Sequence, residues 1–309
     1  MAHVSGFVSI LGRPNAGKST LLNALVGEKV AIVSDKPQTT RTTIQGVLTT
    51  EGAQVIFVDT PGIHKSTSLI NKRMMDMVRG ALEERDVLLF LDDCVRPLTD
   101  EDEHAVSVLP GVATPSLLLL NKIDQLGDKR LLLPRIEKYR GWHEFDDYVP
   151  VSALTGQGLD ELKKAVIARL PEGPAYFPAE TLTDQPERFL AGELIREKIL
   201  KETRQEVPHS VAVLIDQWQD TPRMVRIAAT VYVERPGQKA IIIGSKGAML
   251  KKVGTAARLE IEALLGRKVF LELFVKVQPN WRANPEFLNA IDWRSMTGVE
   301  TETEHEVKS

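Results

Sequence analysis

The sequence predicts an α/β domain built on a doubly wound, mostly parallel sheet, followed by a smaller α+β domain. Three observations carry this prediction. Residues 5–170 alternate near-continuous apolar runs with helical patterns, the rhythm of parallel strands covered on both faces. The stretch PEGPAYFPAETLTDQP (residues 171–186) then carries four prolines in sixteen residues and reads as a connector. Beyond it, one helix, two strands, a second helix and a strand follow in an order that is not βαβ. The boundaries that result are a first domain at 1–172, a linker at 173–186, a second domain at 187–295, and an acidic tail at 296–309 expected to be disordered.

In order along the first domain, FVSILG is a short strand ending in glycine, followed by the helical pattern STLLNALVG. The strands AQVIFVDTPG, VLLFLDD, PSLLLLNKID and DYVPVSAL come next, and the helix GLDELKKAVIARL closes the domain. Functional residues of such a sheet are expected at the carboxyl ends of its strands. In the second domain, ERFLAGELIREKILKET is a helix, VAVLIDQW and MVRIAATVYV are strands, GAMLKKVGTAARLEIEALLG is a helix and VFLELFVKV a strand. No internal repeat relates the two domains.

Composition excludes several classes. Of 309 residues, 43% are hydrophobic and 26% charged, as in an ordinary globular chain. The single cysteine, Cys94, rules out an intrachain disulfide and is expected to be a small core residue. No Cys/His spacing suggests zinc. No apolar run approaches the ~20 residues that span a bilayer, and the amino terminus lacks the pattern of a signal peptide. The expectation is a soluble protein of a reducing compartment. The net charge is -3, yet between Arg223 and Lys276 eleven Lys/Arg face four Glu, a local excess of seven positive charges.

The string Gly12-Arg13-Pro14-Asn15-Ala16-Gly17-Lys18-Ser19 fits G-x-x-x-x-G-K-[ST] between a strand and a helix, the context of a phosphate-binding loop. Its backbone N–H groups and the helix N-terminus favour phosphate. Lys18 is expected at the β/γ-phosphates and Ser19 at Mg²⁺, with Thr20 a further nucleotide-binding residue. Asp59-Thr60-Pro61-Gly62-Ile63 ends a strand and is expected to line the nucleotide site, where Asp59 can serve the Mg²⁺ shell and the Gly62 N–H the γ-phosphate. Asn121-Lys122-Ile123-Asp124 ends another. The Asp124 carboxylate can accept from guanine N1–H and N2–H₂, a pair adenine does not offer, which selects GTP. Asn121 is expected to tie this loop to the phosphate loop, with the Lys122 stem along the base. Ser152-Ala153 fits a loop whose backbone N–H meets guanine O6.

The loop PQTTR (residues 37–41) supplies a threonine for Mg²⁺. Thr40 is the assigned ligand and a catalytic candidate, with Thr39, Thr42 and Thr43 as alternatives. Ras-like enzymes carry a water-orienting glutamine where this chain has Ile63. Catalysis is therefore expected to involve Lys18, Thr40 and Asn15.

The motifs GRPNAGKS, PQTTR, DTPG, NKID and SAL, in this order and spacing, resemble those of the Era family of bacterial GTPases. The segment QKAIIIGSKG (residues 238–247) looks like the I-G-x-x-G core of a KH domain, and VKVQPNWRANPEFL resembles the Era C-terminal segment. The likeness runs from about residue 5 to 295, and the absence of a second phosphate loop sets it apart from double-GTPase relatives. A KH turn of this kind clamps about four nucleotides. Ile242, Gly244, Ser245, Lys246, Gly247, Lys251 and Lys252 are the candidate RNA contacts, although Ser245 departs from the basic residue frequent at that place.

The resemblance implies a P-loop GTPase domain followed by a type II KH domain. It implies a GTP-hydrolysing switch that uses GTP/GDP and Mg²⁺, binds the 3′ end of small-subunit (16S) ribosomal RNA and assists 30S subunit assembly. It further implies a cytoplasmic protein with peripheral association at the inner membrane, expected to be a monomer. In related GTPases with Asn at the place of Asn15, that side chain helps bind K⁺. A competing reading is a GTP-dependent switch whose basic C-terminal domain binds membrane or a protein partner.

Overall fold

A computed structural model describes residues 3–63, 68–83, 85–109, 114–204 and 207–292. The chain divides into two compact units: Met1–Thr67 with Asn71–Asp184, and Gln185–Ser309 with Ser68–Ile70.

In the first unit, the strands are β1 (Val4–Gly12), β2 (Ile44–Thr50), β3 (Ala53–Asp59), β4 (Val87–Asp93), β5 (Ser116–Asn121) and β6 (Asp147–Pro150). They form one sheet in the order β2-β3-β1-β4-β5-β6. All pairings are parallel except β2 with β3. The helices are α1 (Lys18–Val26), α2 (Leu69–Glu83), α3 (Asp100–Val106), α4 (Leu132–Arg140) and α5 (Leu159–Ile167).

Strand periodicity explains the double winding. Val87, Leu89 and Leu91 of β4 and Leu117 and Leu119 of β5 join the core with Leu21, Leu22 and Leu25 of α1 and Leu162 and Val166 of α5. The alternate residues Leu88, Phe90, Leu118 and Leu120 join Val78 of α2, Val106 of α3 and Tyr139 of α4 in a second core. Cys94 lies in this second core, where burial pushes its thiol up to about 11, which leaves it inert as a nucleophile.

The five parallel strands lie where the sequence predicts them. Strand β2 is an addition: a two-residue turn at Glu51-Gly52 folds it back antiparallel, from Ile44 opposite Asp59 to Thr50 opposite Ala53. Its half-polar edge pattern, interrupted by Gly46, hid it in the sequence.

The proline-bearing stretch is not a free tether in its first fourteen residues. Gln54, fully buried in β3, accepts from the backbone N–H of Tyr176 (2.7 Å) and Phe177 (2.9 Å) and donates to the Phe177 carbonyl (2.8 Å). Val47 N donates to Leu182 O, Thr183 Oγ1 to Gln45 O, and the Tyr176 ring meets Phe7 edge-on. Proline fixes extended backbone and leaves the intervening N–H and C=O groups to seek partners, and the sheet edge supplies them.

The second unit contains α6 (Glu187–Glu202), α7 (Val207–Ser210), β7 (Ala212–Asp220), β8 (Val225–Val233), α8 (Pro236–Ile243), α9 (Ala248–Leu265), β9 (Val269–Val277) and α10 (Pro285–Ala290). The sheet order is β7-β8-β9, antiparallel then parallel. Val225, Ile227, Ala229, Val231 and Val233 line the buried face of the central strand. Val253, Ala257 and Ile261 recur at four-residue spacing on the buried side of α9. The tail predicted at 296–309 lies outside the described residues.

Candidate functional site

The phosphate loop joins β1 to α1. Gly12 at φ +142° and Gly17 at φ +102° adopt backbone that a side chain would strain, and a Cβ on Gly17 would meet the Asn121 amide at 2.5 Å. The first-turn N–H groups of α1, including those of Ser19 and Thr20, have no intrahelical partner and open onto a cavity lined by Pro14, Asn15, Gly17, Lys18, Ser19, Thr20, Thr40 and Gly62. Lys18 is buried under the loop and donates to the carbonyls of Gly12 (3.1 Å) and Arg13 (2.9 Å). Burial pulls its ammonium down to about 8, with Asp59 opposing the shift. Ala16 is buried beneath the loop. The Arg13 side chain points elsewhere: it donates to Thr99 Oγ1 and Asp102 Oδ2 and pairs with Glu101, bracing the start of α3.

Three oxygens converge beside the loop. Ser19 Oγ donates to Asp59 Oδ2 at 2.6 Å and lies 2.8 Å from Thr40 Oγ1, which lies 3.3 Å from the same carboxylate oxygen. Thr40 is thus the threonine hydroxyl found beside Ser19 and Asp59, while Thr39 donates to Lys36 O. Asp59 Oδ1 is buried with no hydrogen-bond partner. Burial pushes the carboxyl up to about 6 against the opposing charge of Lys18. A buried carboxylate with an unmet oxygen and two hydroxyls within reach suits a hard cation such as Mg²⁺.

The base loop is tied as expected. Asn121 donates to Ala16 O (2.8 Å) and accepts from Ala153 N (3.0 Å), joining three strand-end loops through one amide. Lys122, in left-handed backbone, sends Nζ to Asn15 O (3.1 Å) and Asp93 Oδ2 (2.6 Å). Asp124 is exposed, its carboxylate open to a base. Thr60 Oγ1 donates to Ile10 O, pinning β3 to β1, and Pro61 and Gly62 are buried beside the loop. Gly62 approaches Pro14 so closely that a Cβ would lie 2.6 Å from its nitrogen.

Two nucleotide-site expectations change. Ile63 is 2% exposed and packs in the second core, while its N–H donates to Gly12 O at 3.1 Å. It shapes the loop and has no free group for the nucleotide. Ser152 N donates to Gln157 O and Ala153 N to Asn121, so in this geometry neither N–H faces guanine O6. This pair locks the base loop instead. Sequence reasoning missed Ile32, Val33, Ser34 and Gln38, which also line the phosphate cavity. Ile32, Val33 and Ser34 belong to no motif, and Gln38 lies within PQTTR, a loop read only for its threonines. Asn15, at φ +64°, donates its Nδ2 to Asp35 O (2.8 Å) in that loop.

In the second unit, Gly244-Ser245-Lys246-Gly247 turns α8 into α9, with Gly244 at φ +70°, Lys246 at +49° and Gly247 at +80°. A Cβ on Gly244 would meet Met249 Cβ at 2.7 Å, whereas the space at Gly247 is open. Ser245, Lys246 and Lys251 are exposed. Ile242, an expected RNA contact, is 1% exposed and belongs to the core, because the helical turn aims Ile241 outward at 52%. Lys252 pairs with Glu202 on α6 at 2.6 Å, which draws its charge toward that helix. A cavity of about 380 Å³ runs from Gly247 between α9 and β9, lined by Leu250, Lys251, Gly254, Thr255, Arg258, Leu271 and Leu273. Most of these escaped sequence reasoning because they are ordinary helix and strand residues brought together only by the packing of α9 on β9.

Fold and site together define a P-loop GTPase carrying a C-terminal KH module. Family models agree: residues 7–122 match a family described as 50S ribosome-binding GTPase, and residues 206–282 match the KH domain. The chain is 50% identical over 291 residues to GTPase Era of Geobacter metallireducens, covering 94% of this chain and 97% of that one. It therefore belongs to the Era family of GTPases. Solved structures concur in fold. A variant of Era from Aquifex aeolicus bound to GDP·AlF4⁻ superposes with a TM-score of 0.91 at 42% identity, covering 94% of this chain and 99% of that one. Era in complex with MgGDPNP and nucleotides 1506–1542 of 16S ribosomal RNA gives the same figures.

Proposed function

We propose that this GTPase is a nucleotide-controlled RNA-binding switch that grips the 3′ end of small-subunit ribosomal RNA and assists small-subunit assembly. The observation that carries the proposal is the glycine-flanked turn at Gly244–Gly247 opening into the α9–β9 cavity beside the exposed Lys246 and Lys251. Close backbone approach plus positive charge suits a single-stranded sugar-phosphate chain, and the apolar wall of Leu250, Leu271 and Leu273 suits bases. The relative solved with a 16S RNA fragment supports the choice of RNA.

In the first unit, Lys18 and the loop N–H groups hold the β/γ-phosphates, and Asp124 reads guanine. Ser19, Thr40 and Asp59 are the residues that would hold Mg²⁺, which when bound supplies charge to the phosphates. Asn15, whose side chain donates to Asp35 O, is the residue that would help hold a K⁺ ion, which would supply a further positive charge at the phosphates. Turnover compared in K⁺ and Na⁺ buffers tests that part.

The RNA reading is tested by titrating a ribosomal 3′-end oligonucleotide into the full chain loaded with a non-hydrolysable GTP analogue. Gly247→Asp sets a carboxylate in open space at the turn to repel phosphate, and because φ +80° strains any side chain there, thermal unfolding of the variant is measured alongside to separate loss of fold from loss of contact. At least a roughly tenfold loss of affinity is expected. Unchanged affinity would refute the KH interface.

A further inference from the structure

Ile63 stands where Ras-like enzymes carry their water-orienting glutamine, and its side chain is sealed in the core. The attacking water must be oriented by another group. Gln38 lines the same cavity as Lys18, Ser19, Thr40 and Gly62, two residues before the Mg²⁺ candidate Thr40. Its backbone sits at φ +62°, a left-handed conformation that a glutamine adopts at a cost. Its Nε2 donates to Asn71 Oδ1 on α2 at 3.0 Å, which fixes the plane of the amide. The other end of that amide, Oε1, is buried and accepts no hydrogen bond among the described residues. A buried acceptor left unmet beside a phosphate cavity is a rare and costly arrangement, and it marks a place for a donor that arrives with the ligand.

We propose that Gln38 Oε1 accepts a hydrogen bond from the attacking water and orients it toward the γ-phosphorus. The water oxygen forms the new bond to phosphorus. The bond from phosphorus to the β–γ bridging oxygen breaks, and its electron pair leaves on GDP. The water's proton passes to a γ-phosphate oxygen, giving inorganic phosphate. Gln38 takes no proton, because an amide oxygen is too weak a base; its contribution is geometric. Asn71 is the positioning residue: it occupies the Nε2 end of the amide and leaves Oε1 as the end without a partner among the described residues.

This inference rests on the phosphate site proposed above, and the two can fail separately. The test uses the full chain and its Gln38→Ala and Gln38→Glu variants, measuring single-turnover GTP hydrolysis, GTP and GDP affinity, and capture of GDP with aluminium fluoride. Gln38→Ala should lower the hydrolysis rate about 10- to 100-fold with nucleotide affinities within about threefold of the parent, and should lose tight capture of the aluminium fluoride complex. Gln38→Glu keeps an acceptor oxygen and should recover part of the rate. A Gln38→Ala rate within twofold of the parent would overturn the proposal. So would an equal loss in rate and GDP affinity, which would make Gln38 a strut of the loop. Lys18→Ala reports on the phosphate site alone: unchanged GTP binding there would overturn that site's assignment.

Discussion

At the residue scale, the site is governed by two buried charges of opposite sign. Lys18 is pulled down to about 8 and Asp59 pushed up to about 6, each by burial and each partly restored by the other. A cation bound at Asp59, Ser19 and Thr40 needs the carboxylate form. Because the folded-state pKa of Asp59 is raised, protons compete for it at a higher pH than at an ordinary aspartate. Mg²⁺ affinity, measured by titration of the GDP-loaded protein, should therefore hold above about pH 6 and fall by up to about tenfold per unit below it. Asp59→Asn should bind Mg²⁺ weakly with no such slope. A parent affinity that stays flat from pH 7 to pH 5 would rule out Asp59 as the titrating group. Much of this site was legible in the sequence: glycine spacing, Lys18, Ser19, Asp59, Asn121 and Asp124 are set by local motifs. The nearness of Thr40 to Ser19 was not, since it depends on which hydroxyl the folded loop brings there.

At the element scale, the extended segment ending the first unit shows how backbone accounting turns a connector into structure. Prolines removed donors and set extended backbone, but they said nothing about partners. Gln54, buried in β3, is the partner, with three hydrogen bonds to Tyr176 and Phe177. Gln54→Ala should leave two backbone N–H groups and a carbonyl unmet, costing about 2–4 kcal/mol at that segment. Hydrogen exchange at Tyr176 and Phe177 should accelerate while that of β5 stays protected. Unchanged exchange there would show that the prolines alone hold the segment. Strand β2 teaches the same lesson from the other side. Its edge position, half-polar pattern and two-residue turn become visible as a strand only once β3 is present to pair with it.

At the scale of the whole molecule, charge is divided. A chain of net charge -3 concentrates a local excess of seven positive charges between Arg223 and Lys276. Some of these are spent on internal pairs, such as Lys252 with Glu202 and Arg258 with Glu262. Lys251 is exposed on the wall of the α9–β9 cavity. RNA affinity should fall linearly with the logarithm of salt, and Lys251→Ala should lower the magnitude of that slope by about 0.7, the value for one phosphate of a single strand. Lys252→Ala should change it less. Equal effects of the two substitutions would mean that the pair with Glu202 does not hold in the complex.

The sequence by itself determined the division into an α/β and an α+β unit, the parallel strands of the first, the guanine-selecting motif and the glycine turn of the second. Each of these depends on local chemistry: side-chain periodicity, the φ freedom of glycine, or a carboxylate matched to a base edge. Only the tertiary structure decided which side chains those motifs aim at the ligands. It buried Ile63 and Ile242, spent the Ser152 and Ala153 N–H groups on neighbouring loops, brought Thr40 beside Ser19 and Asp59, and left Gln38 Oε1 unmet in a residue that lines the phosphate-loop cavity. Orientation and partnership arise from packing between segments distant in sequence, and no local pattern encodes them.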